Sequence, residues 1–467
     1  MKTDRGDFNF RVIFKFHDVV RVTSQVANLE NHDLTPFNAI CGKRVNKLFS
    51  TVTSERIVEL TKMAITLDRG YHPPNFLNYY SVECETEIEA KEIMGKLRKR
   101  AAIDQIYVET YSSRPPSVNK SSNPLSSHQE YLNPAPLGID AFYAWQFPGG
   151  NGRGTVRFVD IEQGWIFNHE DIKVNVLPCT GLSHYQYADH GAGVLGIIMM
   201  QDNAVGGIGI TPEVSGFVIS QWRPDGSFNT ADSIMAAVDH LSFGDVMLLE
   251  AQTFGSLDTK KIVPIEILDA NFEAIRLATA LGIVVVEAAG NGMNSKGSDL
   301  DNFIDGNNHT IFNRQSICFK DSGAMVVAGS SADSGHTRIN YSNYGSRIDC
   351  FAWGEKVVTT GLFPRSFGSC NNGYTKKFCG TSSASAIIAG VSIAVQSISE
   401  ANYGVRLSPK EMREILGSEL YGTSSLHGRA VDKIGVMPDL KKVIDKGLNF
   451  HSFASQNNAR FYQKVLL

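Results

Sequence analysis

The sequence has few of the features that mark unusual classes of protein. Its seven cysteines are an odd number without C-x-x-C spacing, so neither a disulfide scaffold nor a zinc site is indicated. The longest apolar runs, which begin at Ile283 and Ala384, are shorter than the roughly 18 residues that span a bilayer. The 44 Lys and Arg residues nearly balance 48 Asp and Glu residues, for a formal charge of −4. We therefore expect a soluble protein without a membrane span or a nucleic-acid partner.

The amino terminus lacks the apolar stretch of a secretory signal, because Asp4, Arg5 and Asp7 interrupt it. A cytoplasmic location is the default expectation, with export by an unconventional route left open. Cys370 and Cys379 flank a polar loop and could pair if oxidised, but a reducing compartment favours two free thiols.

The amino-terminal part predicts a small α+β domain over residues 1–111. The segment FNFRVIFKF from Phe8 alternates like a strand, and the segment from Glu55 has a helical period. A second strand, a helix from Glu87 to Ala101 and a strand near Tyr107 complete the unit. Residues 112–136, rich in Ser, Pro and Asn, are predicted to form a linker and the segment leading into the next domain.

Residues 137–440 predict an α/β domain. Short, nearly continuous apolar strands alternate with helical patterns, which is typical of a parallel sheet with helices on both faces. Ser408 and Glu411 form the pattern of a capping box, with Pro409 at the first helical position. Residues 441–467 are taken as a carboxy-terminal extension.

Four segments of this domain carry polar residues where a strand or helix ends. Asp160 ends an apolar strand, His190 opens an apolar helix, Asn291 lies in a glycine-rich turn after a strand, and Ser382 directly precedes a helix of small residues. Each residue also has an ordinary structural explanation. Asp160 and Ser382 could cap a strand or helix, His190 could be a histidine whose hydrogen bonds only support the fold, and Asn291 could belong to a glycine-rich turn. A serine aimed from a helix amino terminus is also a candidate nucleophile.

In the order Asp, His, Asn, Ser, these segments resemble the subtilisin-like serine peptidases, the subtilases, over about Gln129 to Leu440. The resemblance implies that Ser382 attacks the peptide carbonyl, His190 transfers its proton and Asp160 orients His190. It further implies an oxyanion hole formed by Asn291 and the Ser382 N–H. Substrates would be proteins or peptides, and no organic cofactor is required.

The sequence departs from the family pattern near these residues. Glu162 stands two positions after Asp160, where subtilases commonly have Gly, while Gly193 and Ala386 replace a usual His and a usual Pro. The substrate-binding positions implied by the resemblance are Leu248, Leu249, Glu250 and Gly290. An acid at position 250 would favour basic substrate side chains if it faces the substrate, and a buried structural carboxylate is the alternative.

The amino-terminal domain is similar to the propeptides that subtilases use as folding aids and inhibitors. The resemblance implies self-cleavage between about Val108 and Pro116, and a permanent regulatory domain is the alternative.

Subtilases often hold structural calcium, but Asp299, Asp301 and Asp305 match no defined calcium loop, so a solvated acidic loop is favoured over a metal site. Two other functions stay open: a catalytically silent binding protein, and a transpeptidase that uses the same acyl-enzyme.

Overall fold

The computed structural model describes residues 10–17, 34–48, 54, 55, 58, 75–110, 123–176, 180–255, 261–292, 296–305, 308–361 and 372–448. The chain divides into two compact units, Met1–Arg114 and Pro115–Leu467. Most of the helix predicted from Glu55 lies outside the described residues, as do Cys179, Cys370 and most of the predicted self-cleavage segment.

The first unit is an antiparallel sheet covered by helices, in the strand order β2-β3-β1-β4. Alternate residues of the central strand, Val12 and Phe14, are fully buried against the apolar side of the helix that follows β3. Thr86 caps that helix by accepting a hydrogen bond from the Glu89 N–H. The elements are β1 (Phe10–Phe16), α1 (Thr35–Cys41), β2 (Asn46–Lys47), β3 (Tyr79–Cys84), α2 (Glu87–Leu97) and β4 (Ile103–Thr110).

The second unit is built on a nine-stranded sheet, in the order β16-β17-β13-β12-β11-β8-β5-β7-β6. All neighbouring pairs are parallel except β16 with β17. The predicted α/β class is confirmed. Its strands are β5 (Arg157–Glu162), β6 (Asn175–Val176), β7 (Ser215–Ser220), β8 (Val246–Leu249), β11 (Val284–Ala288), β12 (Met325–Ser330), β13 (Cys350–Trp353), β16 (Gly422–Ser424) and β17 (Val436–Pro438). Two separate hairpins pair β9 (Gln252–Phe254) with β10 (Ile262–Pro264) and β14 (Val357–Thr360) with β15 (Tyr374–Phe378).

Helices cover the sheet on both faces, since its two faces pack into two separate apolar clusters. The helices are α3 (Ala141–Ala144), α4 (Ala188–Met199), α5 (Thr230–His240), α6 (Asp269–Ala280), α7 (Thr381–Tyr403), α8 (Pro409–Leu416), α9 (Arg429–Asp432) and α10 (Leu440–Lys442). The predicted capping box at the start of α8 is confirmed. Among the described residues, only α7 is long and apolar enough to cross a membrane, and its apolar window is wholly buried within the protein, as in a core helix.

The segments at both ends of the predicted domain pack into it. Tyr131 and Leu132, within the predicted linker, are buried in the main core. Beyond Leu440, the chain continues as a helical turn through Leu448, and Val443 and Ile444 join the same core. The described part of the predicted extension is therefore integral to the second unit.

The sheet order places the polar residues of interest along one edge. Strands β5, β8 and β11 are neighbours and run parallel. The carboxyl ends of neighbouring parallel strands meet at the same edge, where ligands of open α/β sheets bind. Glu162 ends β5, Glu250 directly follows β8, and Asn291 lies just past β11.

Candidate active site

The first turn of α7 is joined to the end of β11 by hydrogen bonds through Thr381. The Thr381 N–H donates to Asn291 Oδ1 at 2.9 Å, and the Gly290 N–H donates to Thr381 Oγ1 at 3.2 Å. Gly380 and Gly290 have φ values of 109° and 91°, which lie in the left-handed region that favours glycine. Glycines at these two positions let the loop and the strand end approach each other.

Asn291 is held by hydrogen bonds that do not use its side-chain nitrogen, Nδ2. Its Oδ1 accepts from Thr381, and its backbone N–H donates to Gln252 Oε1 at 2.8 Å. Within the described residues, neither Asn291 Nδ2 nor the Ser382 N–H has a hydrogen-bond acceptor, and the first amides of a helix have no partner inside the helix. Two donors therefore remain available beside the Ser382 hydroxyl group.

His190 lies in the first turn of α4 with one ring nitrogen bound to a carboxylate. Nδ1 is 2.7 Å from Glu162 Oε2, and the ring packs against Phe378. The His190 side chain is 41% exposed, whereas that of Glu162 is 3% exposed. A hydrogen bond from Nδ1 to a buried carboxylate fixes the tautomer and leaves Nε2 as the proton acceptor. No described residue makes a hydrogen bond to Nε2.

The structure corrects the prediction that Asp160 orients His190. Asp160 is fully buried, and its Oδ2 accepts a hydrogen bond from Trp165 Nε1 at 2.7 Å. Glu162, two residues further along the same strand, makes the contact with His190 instead. Side chains two positions apart point to the same face of a strand, but Glu162 is the last residue of β5 and therefore reaches the edge.

A signal for Glu162 was present in the sequence. Subtilases commonly have Gly two residues after the acid of the triad, and Glu162-Gln163-Gly164 has that spacing whereas Asp160 does not. The glycine has a structural reason here, because a Cβ on Gly164 would lie 2.2 Å from the His184 carbonyl oxygen. The spacing from acid to glycine therefore points to Glu162 rather than Asp160.

His190 and Ser382 line one cavity of about 330 Å³. It is also lined by polar and apolar residues from several elements: Glu162, Gln163, Tyr187, Gln221, Phe228, Glu250, Ala251, Gln252, Ala288, Asn291 and Thr381. The sequence did not single out the glutamines, Tyr187 or Phe228, because loop residues brought together by the fold carry no local motif. No hydrogen bond joins Ser382 Oγ to His190 among the described residues, as is common before substrate binds.

The predicted substrate-binding residues fall into two groups. Glu250 lines the cavity. Leu248 and Leu249 are fully buried, and their side chains belong to the apolar clusters on opposite faces of the sheet rather than to the cavity. Gly290 does not line the cavity and instead bonds to Thr381 through its N–H.

Three acids near the cavity, Asp160, Glu162 and Glu250, are almost wholly buried. Loss of hydration raises the pKa of all three carboxyl groups above their ordinary values. For Glu250, the nearby Glu162 and Asp160 raise the pKa further, while His190 and a hydrogen bond from Ser385 act in the opposite direction. Burial thus opposes the ionised form of each of these carboxyl groups.

The acidic loop 299–305 does not fit a calcium site. Asp301 pairs with Lys433 at 2.9 Å and accepts hydrogen bonds from Ser346. Asp299 accepts from the Asp301 N–H, and Asp305 accepts from the His309 N–H. Because an ammonium group and local donors already occupy these oxygens, they do not converge on a cation. Among the described residues, no group of three or more His, Cys, Asp or Glu side chains could hold a metal ion.

Comparison with known proteins identifies the family. The model of the Subtilase family, Peptidase_S8, matches residues 168–434, more than half of the chain, and the chain belongs to that family. It is 27% identical over 267 residues to subtilisin DY of Bacillus licheniformis, covering 56% of this chain and 84% of that protein. It is also 27% identical over 291 residues to an extracellular serine protease of Aeromonas sobria, covering 55% of this chain and 45% of that protein.

A solved structure of a protease from Pseudoalteromonas arctica matches the fold. The TM-score is 0.50 at 20% identity, and the match covers 72% of this chain and all of that one. Together with the family match, the relatives show that the chain is a serine-type endopeptidase of the subtilisin kind.

Proposed function

We propose that the chain hydrolyses peptide bonds with Ser382 as nucleophile, His190 as general base and Glu162 as the acid that orients His190. The observation that carries this assignment is the 2.7 Å contact between His190 Nδ1 and Glu162, in a cavity that Ser382 also lines. An acid hydrogen-bonded to Nδ1 directs Nε2 toward the serine and stabilises the imidazolium ion formed during attack.

The reaction follows from these positions. Ser382 Oγ attacks the substrate carbonyl carbon as its proton passes to His190 Nε2, and the carbonyl oxygen becomes an oxyanion. Asn291 Nδ2 and the Ser382 N–H donate hydrogen bonds to that oxygen, which are worth about 3–4 kcal/mol for one donor. His190 then gives its proton to the leaving amine. Water, activated by His190, hydrolyses the acyl-enzyme and releases Ser382.

A fluorophosphonate probe tests the nucleophile. We expect the wild-type chain to gain the mass of one probe adduct and the Ser382→Ala variant to gain none, because the probe needs an activated serine. Ser383→Ala is the matched control: Ser383 is the next residue, and its Oγ donates to backbone carbonyls of Trp353 and Gly380 rather than facing the cavity. An unlabelled wild-type chain, even without residues 1–114, would favour the silent binding protein.

We also propose that the first unit is a propeptide that the enzyme removes and that inhibits it. Support comes from the division into two compact units near residue 114 and from the burial of Tyr131, which places the start of the second unit before it. The same mass spectra test this proposal: wild type should be cut between about Tyr111 and Tyr131, and Ser382→Ala should stay intact. A labelled but uncut chain would contradict the propeptide and leave the peptidase assignment unchanged.

The products formed from a peptide substrate distinguish hydrolysis from transpeptidation. Ligated rather than hydrolysed peptide products would indicate a transpeptidase.

A further inference from the structure

Glu162 and Glu250 occupy equivalent positions on neighbouring strands. In the parallel pair of β5 and β8, Ile161 is opposite Leu249, and the Glu250 N–H donates to the Ile161 carbonyl oxygen at 3.2 Å. The next residues in this register are Glu162 and Glu250. Side chains at equivalent positions of adjacent parallel strands point to the same face, and the strands lie about 4.8 Å apart. The two carboxyl groups are therefore neighbours below the cavity.

Each of these carboxyl groups has one oxygen in use and one without a partner. Glu162 Oε2 is bound to His190, and Glu250 Oε1 accepts from Ser385 Oγ. Glu162 Oε1 and Glu250 Oε2 are buried and have no hydrogen-bond partner among the described residues. Glu250 as a whole is 9% exposed, and it lines the cavity. A buried carboxylate oxygen without a hydrogen-bond donor is costly. One proton held between Glu162 Oε1 and Glu250 Oε2 would give both oxygens a hydrogen bond.

The charges around Glu250 point the same way. The titratable groups that act on it are Glu162 and Asp160 on β5 and His190 on α4, while Ser385 on α7 supplies a neutral hydroxyl group. None of the described residues lining the cavity is a Lys or Arg. Two adjacent buried carboxylates with no cation except a histidine cannot both be ionised at low cost.

We propose that Glu250 is a positioning residue of the peptidase reaction: its carboxyl group keeps its proton on Oε2 and donates it to Glu162. This proposal rests on the assignment of Glu162 as the acid that orients His190. The hydrogen bond leaves Glu162 ionised, with Oε1 accepting from Glu250 and Oε2 accepting from His190. No bond is broken, since the proton stays on Glu250 throughout the reaction.

The consequence is a carboxylate held at both oxygens. With donors at Oε1 and Oε2, the Glu162 carboxylate cannot rotate away from His190, and its single negative charge stays beside the imidazole. Ser385 orients Glu250 in turn from the helix that carries Ser382. The hydrogen-bonded chain therefore connects α7, β8, β5 and α4 around the cavity.

Two substitutions distinguish this role from simple packing. Glu250→Gln keeps a donor for Glu162, since its amide group can replace the carboxyl O–H, whereas Glu250→Leu removes it. We expect kcat/KM of Glu250→Gln to stay within about threefold of wild type and that of Glu250→Leu to fall by about tenfold or more. Equal loss in both variants, or no loss in either, would contradict the proposal.

Infrared spectroscopy tests the proton without relying on activity. In chain labelled with ¹³C-glutamate, we expect the band of a protonated carboxyl group at pH 7 in wild type and its loss in Glu250→Gln. Glu287→Gln is the matched control, because Glu287 is equally buried with one unpartnered oxygen but does not line the cavity. It should leave the Glu250 band and kcat/KM unchanged. Absence of a band assigned to Glu250 in folded protein would overturn the proposal even if the chain proves inactive.

Discussion

The second unit contains two groups of buried acids that are handled in opposite ways. At the cavity, Asp160, Glu162 and Glu250 have no Lys or Arg beside them, and each has one oxygen without a partner among the described residues. Elsewhere in the same unit, Glu266 and Asp349 are equally buried but share the guanidinium group of Arg347. We call these the cavity acids and the arginine-paired acids.

The arginine-paired acids are fully satisfied. Arg347 is itself completely buried, and it donates to both oxygens of Glu266 at 2.7 and 2.9 Å and to Asp349 Oδ2 at 2.9 Å. At the edge of this network, Asp321 is a third, less buried arginine-paired acid and accepts two hydrogen bonds of 2.7 Å from Arg413. Burial acts to raise the pKa of Asp321, but Arg413 and the positive charge of Arg347 outweigh it and hold that pKa below its ordinary value.

The difference shows that the second unit uses buried acids in two ways, to hold local structure and to serve the site at the cavity. Acids that are paired with arginine hold their surroundings in one geometry, although such pairs add little net stability over an apolar core. Among the acids buried without Lys or Arg, the proton that Glu250 keeps is donated to Glu162, and the Glu162 carboxylate orients His190. Groups of the second kind are typical of active sites.

The largest expected effect separates the two acids of β5. Glu162→Gln should lower kcat by about 10⁴-fold, since it removes the charge that supports the His190 imidazolium ion. Asp160→Asn should lower kcat by less than about tenfold, because Asp160 bonds to Trp165 and not to His190. Initial rates of peptide hydrolysis by purified variants measure both changes.

Thermal unfolding of the same samples is the control, because both acids are buried and a misfolded variant would also lose activity. The assignment of Glu162 would be wrong if folded Asp160→Asn lost more activity than folded Glu162→Gln. In that case His190 would have to change partner when substrate binds.

The second prediction concerns the arginine-paired acids. Arg347→Met should lower the free energy of unfolding of the second unit by about 3–5 kcal/mol, since Glu266 and Asp349 would remain buried without their cation. Urea unfolding measures the change. Glu162→Gln, in which a cavity acid loses its charge, should change the free energy of unfolding far less. Comparable losses would remove the distinction between the two groups.

Much of the site could be predicted from the sequence because its polar residues lie where buried elements end. Asn291 follows an apolar strand, Ser382 lies two residues after Gly380, and the structure places both at one cavity. The choice between Asp160 and Glu162 could not be made from strand periodicity, because both point to the same face. It depends on which residue lies at the end of the strand, and element boundaries are the least certain part of a sequence prediction.

The side chains of Leu248 and Leu249 show a second limit. A strand in the middle of a parallel sheet is covered on both faces, so its apolar residues are core even when the strand leads to the active site. From this segment, only the residues beyond the strand, Glu250, Ala251 and Gln252, line the cavity. The partner of Glu250 could not be predicted either, because Ser385 is distant in sequence and meets it only through the packing of α7 against β8.

The smallest expected effect is a pH dependence that has opposite signs for the two groups of acids. Because the pKa of Asp321 is lower in the folded than in the unfolded chain, its stabilising effect is present above the unfolded pKa of about 3.9 and is lost as the pH falls through the folded value. Asp321→Asn should therefore lower the free energy of unfolding by about 1 kcal/mol near pH 7 and by progressively less below about pH 4.

For Glu250 the pKa is higher in the folded than in the unfolded chain, so stability falls as the pH rises above the unfolded value of about 4.3. Glu250→Gln should remove that part of the decline. Urea midpoints measured from about pH 3 to about pH 8 test both signs. If the two variants differ from wild type by constant amounts at every pH, folding shifts the pKa of neither Asp321 nor Glu250, and the contrast between them fails.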